Sequence, residues 1–259
     1  MPSRSSQDQF DHQASFYNAE WNNWNQRSLA WLIQHAHCLP SHRLLDVATG
    51  TGFTAVGFAP LVAEVIGVDV SNGMLEQARK RAGEVGLANV SFRNAPAESL
   101  PFPDASFDFV TSRVAPHHFL SVPKFTAEAF RVLRPGGRLL VADTTVPDGA
   151  PDLDSWQNHL EVLRDPSHIR NYTASEWRAF VSAAGFVMEE IEELREPNLM
   201  SANSWLEKAG CHGEAAAEVR RLFQEAPPRA VETYRIQPKP DGDIAFQFLR
   251  LALAARKPE

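Results

Sequence analysis

Two acidic residues and a glycine-rich turn stand close together near the start of the chain. Asp46 ends one short apolar run, Asp69 ends the next, and GTGFTA lies between them at residues 50–55. Glycines let a backbone approach a ligand closely, and an acid ending the second strand can accept hydrogen bonds from both ribose hydroxyls. Asp69 lies 17 residues beyond Gly52, a spacing that suits a glycine turn followed by a ribose-binding acid at the end of the next strand. The pattern favours an adenosine-containing ligand over a plain strand-to-helix turn.

The first acid distinguishes between adenosine-containing ligands. A P-loop needs a Gly-Lys-Ser/Thr sequence, which this chain does not contain. A carboxylate at Asp46, just before the glycines, would repel a pyrophosphate, but it suits a ligand with positive charge. S-adenosylmethionine carries a sulfonium and an α-ammonium and therefore fits best. An NAD(P)-dependent oxidoreductase is the alternative, although no Tyr-x-x-x-Lys set for hydride transfer accompanies the glycines.

Strands and helices alternate over the first 150 residues. The near-continuously apolar runs are typical of strands that are covered on both faces. Gly86 and the RPGG sequence at 134–137 provide stops for the helices between them. Such alternation predicts a parallel, doubly wound sheet. The predicted strands are 43–48, 64–70, 90–95, 107–114 and 137–146, and the predicted helices are 73–86 and 122–133.

The pattern changes after residue 147. Amphipathic helices are predicted at 150–165 and 203–226, and a capping box, Thr173 with Glu176, begins a helix within 173–186. Two further strands, at 187–195 and 243–257, follow with a turn at 235–243. We therefore expect an α/β fold: a Rossmann-like, mostly parallel seven-stranded sheet with a helical cap. The predicted single domain, 1–259, comprises an N-terminal helical lid (1–40), a cofactor-binding core (41–147), and cap helices with the last strands (148–259).

Four ordered motifs resemble those of the class I S-adenosylmethionine-dependent methyltransferases. They are LLDVATGTG (44–52), VIGVDVSNGMLEQAR (65–79), NAPAESLPFPDASFDFVTSRVAPHHF (94–119) and EAFRVLRPGGRLLVAD (128–143). The resemblance covers roughly residues 10–147 and is closest to the small-molecule group that includes quinone-biosynthesis methyltransferases. It implies transfer of a methyl group from S-adenosylmethionine to a small-molecule acceptor by in-line displacement, with S-adenosylhomocysteine as product.

The resemblance also implies cofactor contacts. Asp69 would hold the ribose, Met74 would pack on adenine, and the backbone N–H of Ala97 would read the adenine ring. The N-terminal helix at 10–17 would close over the cofactor. The predicted cofactor-binding residues are Tyr17, Asp46, Thr49, Gly50, Gly52, Asp69, Val70, Met74, Ala97, Glu98 and Arg113.

One position departs from the family pattern. Pro96 stands where the family often has an acid that accepts a hydrogen bond from the adenine amino group. Asn94 is the nearby residue that would take over this contact. The departure concerns the adenine contact and leaves the predicted cofactor unchanged.

Two adjacent histidines are the candidate catalytic residues. Methyl transfer needs alignment of the reacting atoms, and it needs a general base only when the acceptor must lose a proton. His117 and His118 follow the fourth strand, at the sheet edge where such folds bind ligands. A histidine, with an ordinary pKa of about 6.5, suits proton removal from a phenol or an activated carbon acid. Alternatively, one of the pair is a packed turn residue. No metal is expected, because no third ligand has recognisable spacing.

Aromatic residues in two regions are candidates for the acceptor site. Trp21, Trp24 and Trp31 share a helix face if the start of the chain is helical, which predicts either core packing or a lid over an aromatic or apolar acceptor. The cap contributes a second group: Trp156, His159, Trp205 and Tyr234. A non-catalytic S-adenosylmethionine-binding protein stays open as a second alternative.

Composition excludes several classes of protein. The formal net charge is −7 and the basic residues are scattered, so no nucleic-acid groove is expected. Cys38 and Cys211 are the only cysteines and form neither a metal motif nor a disulfide framework. No membrane span or secretion signal is visible, so we expect a cytoplasmic protein.

Overall fold

Two helices precede the first strand in the computed structural model, which describes residues 6–13 and 26–259. Helix α1 is Ser6–Gln13 and helix α2 is Gln26–Ala36. The predicted site residue Tyr17 and the aromatic candidates Trp21 and Trp24 lie outside the described residues.

The first half of the chain forms strands and helices close to the predicted bounds. Helix α3 was not predicted. Strand β5 begins four residues earlier than predicted, directly after the helix, so RPGG lies inside a strand whose register shifts at this point. The elements are β1 Arg43–Val47, α3 Phe53–Phe58, β2 Glu64–Asp69, α4 Asn72–Glu84, β3 Val90–Asn94, β4 Phe107–Arg113, α5 Val122–Val132 and β5 Leu133–Thr145.

In the second half, two predicted elements are each divided in two, and the short elements β7 at 200–201, α10 at 228–233 and β8 at 237–238 were not predicted. The helix predicted at 203–226 is two helices, because Gly210 and Gly213 adopt φ angles of +65° and +63°. The strand predicted at 243–257 is also two strands, which belong to different sheets. The elements are α6 Pro151–Arg164, α7 Ala174–Ala183, β6 Val187–Leu194, β7 Met200–Ser201, α8 Ala202–Lys208, α9 Gly213–Gln224, α10 Pro228–Thr233, β8 Gln237–Pro238, β9 Ile244–Phe246 and β10 Leu249–Arg256.

The main sheet has seven strands in the order β3-β2-β1-β4-β5-β10-β6. Strand β10 runs in the opposite direction to the other six strands of this sheet. The predicted mostly parallel sheet is therefore confirmed. Adjacent residues of a strand face opposite sides of a sheet. Leu45 accordingly belongs to one hydrophobic cluster with Phe125, whereas Leu44 belongs to another with Phe58. Burial on both faces explains the continuous apolar runs.

A cap with its own hydrophobic cluster is formed between β6 and β10. The short strands β7, β9 and β8 make a second sheet, in that order. Trp205, Phe223, Tyr234 and Phe246 pack together in this cluster. Helix α6, which follows the carboxyl end of β5, packs on α9 of the cap. The predicted capping box of α7 is present. None of the helices in the described residues is both long enough and apolar enough to span a membrane.

Candidate active site

A cavity of about 410 Å³ opens at the carboxyl ends of β1, β2 and β4. Segments that are far apart in sequence meet here, because the ends of parallel strands lie along one edge of a sheet. The cavity wall contains most of the predicted site residues. Those that line it are Thr49, Gly50, Asp69, Val70, Met74, Ala97, Glu98, Arg113 and His118.

The two glycines of the turn after β1 have different roles. Gly50, with φ +53°, lines the cavity, and a Cβ there would meet nothing within 4 Å. Gly52, with φ +83°, packs against α4, where a Cβ would lie 3.0 Å from the Cβ of Ala78. Gly50 therefore exposes backbone to a ligand, whereas Gly52 allows the helix to approach the turn.

Asp69 joins the ends of the two strands at the cavity wall. Its carboxylate accepts hydrogen bonds from the backbone N–H groups of Gly50, at 2.8 Å, and Ser71, at 2.9 Å. Burial raises the pKa of this carboxyl, while the N–H donors oppose the shift. Each carboxylate oxygen keeps further acceptor capacity. The site thus presents a fixed acceptor of hydrogen bonds beside a bare glycine.

Asp46 lies beneath the cavity wall and is only 1% exposed. Its carboxylate accepts hydrogen bonds from the hydroxyls of Thr49, at 2.6 Å, and Thr111, at 2.8 Å. Burial raises the pKa of Asp46 to about 6, against the effect of these two donors and of the Arg113 charge. Asp46 is not among the residues that line the cavity, whereas Thr49, which donates to it, does line it.

Arg113 ends β4 and reaches the cavity beside the first turn of α3. Its Nε donates a hydrogen bond to the hydroxyl of Thr54 at 3.0 Å. Burial lowers the pKa of this guanidinium to about 10, and the charge of Asp46 opposes the shift. At this pKa the group stays protonated at pH 7.

The loop after β3 forms another part of the wall. Pro96, Ala97 and Glu98 line the cavity here, together with Val70 and Met74 at the start of α4. Asn94 is not among the residues that line the cavity, and its amide nitrogen donates to the backbone oxygen of Val70 at 2.7 Å. The wall is therefore largely apolar, with backbone groups available for polar contacts.

Helix α1 lies over the cavity. Gln7 and Phe10 line it. The Asp11 carboxylate accepts hydrogen bonds from the Ser71 hydroxyl, at 2.5 Å, and from the Gly73 N–H, at 3.0 Å, at the start of α4. On the other side, the Gln9 amide donates to the backbone oxygen of Ala209 in the cap at 3.0 Å. The helix thus connects the core to the cap.

The two predicted catalytic histidines differ in position and in the direction of their pKa shifts. His117 lies behind the wall, where Nδ1 contacts an Asp143 oxygen at 2.6 Å and its backbone N–H donates to the other oxygen at 2.8 Å. Burial disfavours the imidazolium of His117, but the Asp143 charge and hydrogen bond outweigh it and raise the pKa. Burial and the His117 charge lower the pKa of His118, which lines the cavity, to about 4.

A third histidine lies beside this pair. The ring of His168 is centred 5.5 Å from that of His117 and 6.1 Å from that of His118. Burial and the two neighbouring histidines strongly lower its pKa. In the part of the chain that the structure describes, no group of three or more His, Cys, Asp or Glu residues is arranged to hold a metal ion. The pKa values of the three imidazoles are therefore shifted in different directions, upward for His117 and downward for His118 and His168.

Comparison with known proteins gives the family. The family model described as "Methyltransferase domain" matches residues 45–141. The uncharacterized methyltransferase YcgJ of Bacillus subtilis is 39% identical over 238 residues, which cover 92% of this chain and 93% of YcgJ. This chain belongs to the methyltransferase family. The enzyme class and the resemblance to quinone-biosynthesis methyltransferases are thereby confirmed, and the oxidoreductase alternative is wrong.

Structural comparison agrees with the sequence. The crystal structure of Bacillus subtilis YcgJ has a TM-score of 0.85 and 38% identity, and covers 90% of this methyltransferase and 99% of YcgJ. A demethylmenaquinone methyltransferase of Symbiobacterium thermophilum is 36% identical over 150 residues, which cover 53% of this chain and 58% of that protein.

A distant methyltransferase shares the fold alone. The geranyl diphosphate C-methyltransferase of Streptomyces coelicolor A3(2), crystallised with S-adenosyl-L-homocysteine, has 15% identity and a TM-score of 0.64. The match covers 90% of this chain and 79% of the other. The same sheet architecture thus extends well beyond recognisable sequence similarity.

Several residues of this methyltransferase site were not predicted. Gln7 and Phe10 come from the N-terminal helix, and Pro166, Ser167 and Ile169 come from the loop after α6. No motif or spacing connects this loop to the strand ends, because the contact is made only by folding. Phe119 and the 83% exposed Leu120, which follow the histidines, complete the apolar part of the wall.

The aromatic candidates mostly belong to hydrophobic clusters. Trp31 is buried under the sheet, and its Nε1 donates to a Glu192 oxygen at 2.8 Å. Trp205 and Tyr234 lie in the cap cluster, Trp156 packs against it, and His159 is exposed on α6. For Trp31 the core-packing interpretation applies.

Proposed function

We propose that this methyltransferase uses S-adenosylmethionine as methyl donor and methylates a small, largely apolar acceptor in the same cavity. The observation that carries the proposal is the pairing of the Asp69 carboxylate with the bare backbone of Gly50 at a cavity wall. When bound, S-adenosylmethionine supplies an activated methyl carbon. The protein has to bind it, orient the acceptor and exclude water.

The adenosine part of the donor fits the wall formed by β2, α4 and the loop after β3. Asp69 has acceptor capacity for ribose hydroxyls beyond its two backbone bonds. Val70, Met74 and Ala97 offer an apolar surface for adenine. The Ala97 backbone N–H, proposed from the family resemblance, would read a ring nitrogen.

The methionine part of the donor fits the opposite end, near the turn after β1. The Arg113 guanidinium suits the α-carboxylate, because Arg binds carboxylates through charge-assisted hydrogen bonds. Asp46 acts through Thr49, whose hydroxyl proton it accepts. This leaves the lone pairs of the Thr49 oxygen for the ammonium group of the ligand.

The acceptor fits the remaining wall, which is apolar except for Gln7, His118 and Ser167. Phe10, Phe119 and Ile169 lie on this side. The relative from Symbiobacterium thermophilum is named for demethylmenaquinone, an aromatic acceptor class that is consistent with such a wall. We therefore propose an aromatic or apolar acceptor.

His118 is the proposed general base, and His117 is a supporting residue. His118 lines the cavity, and with a pKa of about 4 it is neutral at pH 7, so one ring nitrogen has a lone pair that can accept a proton, although the low pKa makes it a weak base. A neutral imidazole also avoids repulsion with a cationic donor. His117 contacts Asp143 behind the wall and has no direct access to the cavity in this arrangement.

The first test is calorimetric titration of the full chain with S-adenosylmethionine, S-adenosylhomocysteine and NAD(H). Binding of both adenosyl compounds without binding of NAD(H) is the expected result. Absence of binding by both adenosyl compounds would overturn the proposed donor. Positive binding would justify screening phenols, quinones and amines with a labelled methyl donor.

The second test concerns the base. With an acceptor from the screen, His118→Gln should lower kcat at least tenfold while the dissociation constant for S-adenosylmethionine changes little, because the base acts on the acceptor. His159→Gln, on the exposed face of α6, is the matched control. Normal turnover by a folded His118→Gln protein would remove His118 from the mechanism.

A further inference from the structure

In the loop after α6, Ser167 and His168 donate hydrogen bonds to the buried residue Asp165. Asp165, 2% exposed, accepts hydrogen bonds through the same oxygen from the Ser167 N–H, at 2.9 Å, and the Ser167 hydroxyl, at 2.7 Å. The backbone oxygen of Asp165 also accepts from the His168 N–H at 2.9 Å. The position of Ser167 is therefore set by Asp165.

Ser167 in turn contacts His118. Its carbonyl oxygen and its hydroxyl oxygen both lie 3.1 Å from Nδ1 of His118. A carbonyl oxygen can only accept a hydrogen bond, and the hydroxyl proton of Ser167 is already donated to Asp165. Nδ1 of His118 must then be the donor. In the neutral imidazole, Nε2 consequently carries the lone pair.

In the two neighbouring histidines, the hydrogen-bond partner likewise determines which ring nitrogen carries the proton. Nδ1 of His117 faces a carboxylate of Asp143, which can only accept, so this nitrogen is also protonated. Nε2 of His168 faces the Asn158 side-chain oxygen at 3.1 Å, whose amide nitrogen donates to Asp154 at 2.6 Å. His168 is therefore the opposite tautomer, with its proton on Nε2.

We propose that Asp165 is a positioning residue that acts through Ser167 to hold His118 as the Nδ1–H tautomer, with Nε2 as the proton acceptor for the methyl acceptor. The use of this tautomer in catalysis rests on the proposed base role of His118. The tautomer itself follows from the hydrogen bonds and does not depend on the cofactor or the reaction.

Two ring contacts and one backbone hydrogen bond hold the imidazole of His118 in place. Phe10 of α1 packs edge-on to His118 at a centroid distance of 4.8 Å, and His117 lies at 4.3 Å. The backbone N–H of His118 donates to the Ala115 oxygen at 2.9 Å. A fixed ring with a fixed tautomer places one basic nitrogen, which is what proton transfer to a positioned base requires.

The test is a long-range ¹H–¹⁵N correlation spectrum of the ¹⁵N-labelled full chain without ligand at pH 7. This spectrum distinguishes the two tautomers by the chemical shifts of both ring nitrogens. His118, assigned by its loss in His118→Gln, should show Nδ1–H, and His168 should show Nε2–H. An Nε2–H tautomer at His118 would overturn the proposal.

Variants then test the role of Asp165. In Asp165→Asn and Asp165→Ala, the Nδ1–H signature of His118 should shift toward the Nε2–H tautomer or toward exchange between the two. Asp148→Asn is the matched control, since Asp148 also accepts from the N–H and hydroxyl of one serine, Ser175. An unchanged His118 tautomer in either Asp165 variant that keeps the native fold contradicts the positioning role.

Kinetics separate this role from a purely structural one. With an acceptor available, Asp165→Asn should lower kcat and alter its pH profile while KM for S-adenosylmethionine stays within about twofold. A rise in KM with an unchanged kcat and pH profile would contradict the proposal. The Nδ1–H tautomer would still be observed if the titrations disproved the proposed donor, so the two failures are distinguishable.

Discussion

The two acids that flank the glycine turn, Asp46 and Asp69, are both buried but have different hydrogen-bond partners. Both end a parallel strand, and both have raised pKa values because they are buried. Asp69 is bonded to backbone N–H groups and lines the cavity, whereas Asp46 is bonded to two threonine hydroxyls beneath it. Asp69 is thus placed to contact a ligand directly, and Asp46 is placed to orient Thr49.

We expect Asp69→Ala to weaken S-adenosylmethionine binding at least tenfold, or about 1.4 kcal/mol. Charge-assisted hydrogen bonds typically contribute about 1.5–3 kcal/mol, and the variant removes those to the ribose. Calorimetry measures the change, with the exposed Glu76→Ala on α4 as control. Unchanged affinity in a folded Asp69→Ala protein would exclude this residue from the site.

We expect the stability difference between the unsubstituted protein and Asp46→Asn to depend on pH. Burial raises the pKa of Asp46 from 3.8 to about 6, so between these values the folded state binds more protons than the unfolded chain. Stability contributed by protonated Asp46 is therefore lost as pH rises through this window, by about 3 kcal/mol.

Denaturant unfolding at several pH values from 3.5 to 7 would measure this difference, and the subtraction removes the effects of groups common to both proteins. The free energy of unfolding of the native sequence should fall relative to that of Asp46→Asn. A flat difference across the window would show that folding does not shift this pKa, and a rise would show that the carboxylate is stabilised in its charged form.

At the scale of elements, the site depends on close packing between neighbouring strands and the turn. Gly67 lies in β2 opposite Asp46 of β1. A Cβ at Gly67 would lie 2.7 Å from Cδ1 of Phe92 and 2.9 Å from the Thr49 hydroxyl oxygen. The absence of a side chain at this position therefore allows Thr49 to approach the strand and to contact Asp46.

Gly67→Ala should destabilise the protein by about 1–3 kcal/mol, because the added methyl group overpacks a filled region. Gly83→Ala in α4 is the matched control, since a Cβ there meets nothing within 4 Å. It should stabilise the helix by about 0.5–1 kcal/mol. Thermal and denaturant unfolding would measure both. Equal effects of the two substitutions would contradict the packing argument.

At the scale of the whole molecule, the cap is an insertion between two paired strands. The chain leaves the main sheet after β6 and returns in β10, and these strands are hydrogen-bonded neighbours. The cap also contacts α6 and α1. We therefore expect the cap and the sheet to unfold together in one transition.

Phe223→Ala tests this coupling from the cap side. Phe223 is 2% exposed and contacts Trp156, Trp205 and Phe246, so its removal should cost about 3–5 kcal/mol. Far-UV circular dichroism and tryptophan fluorescence should report coincident transitions shifted by the same amount. Separate transitions for the two probes would show that the cap unfolds independently.

Local patterns in the sequence determined most strands of the sheet, the glycine turn and most of the predicted residues that line the cavity. Apolar runs and their ends place Asp69, Gly50 and Arg113 along one edge, because parallel strands end together. Most strand bounds of the first half follow from hydrophobic periodicity, whereas helix α3 and the early start of β5 do not. The family motifs then associate these strand ends with a methyl donor.

Only the tertiary structure decided which residues face the cavity. Asp46 and His117 are buried behind their neighbours, and His118 faces the cavity beside the loop that carries Ser167. These outcomes depend on contacts between residues 26 and 49 positions apart, or on the burial of one side chain relative to the next. Spacing within a motif does not encode such contacts, because packing across the whole chain sets them.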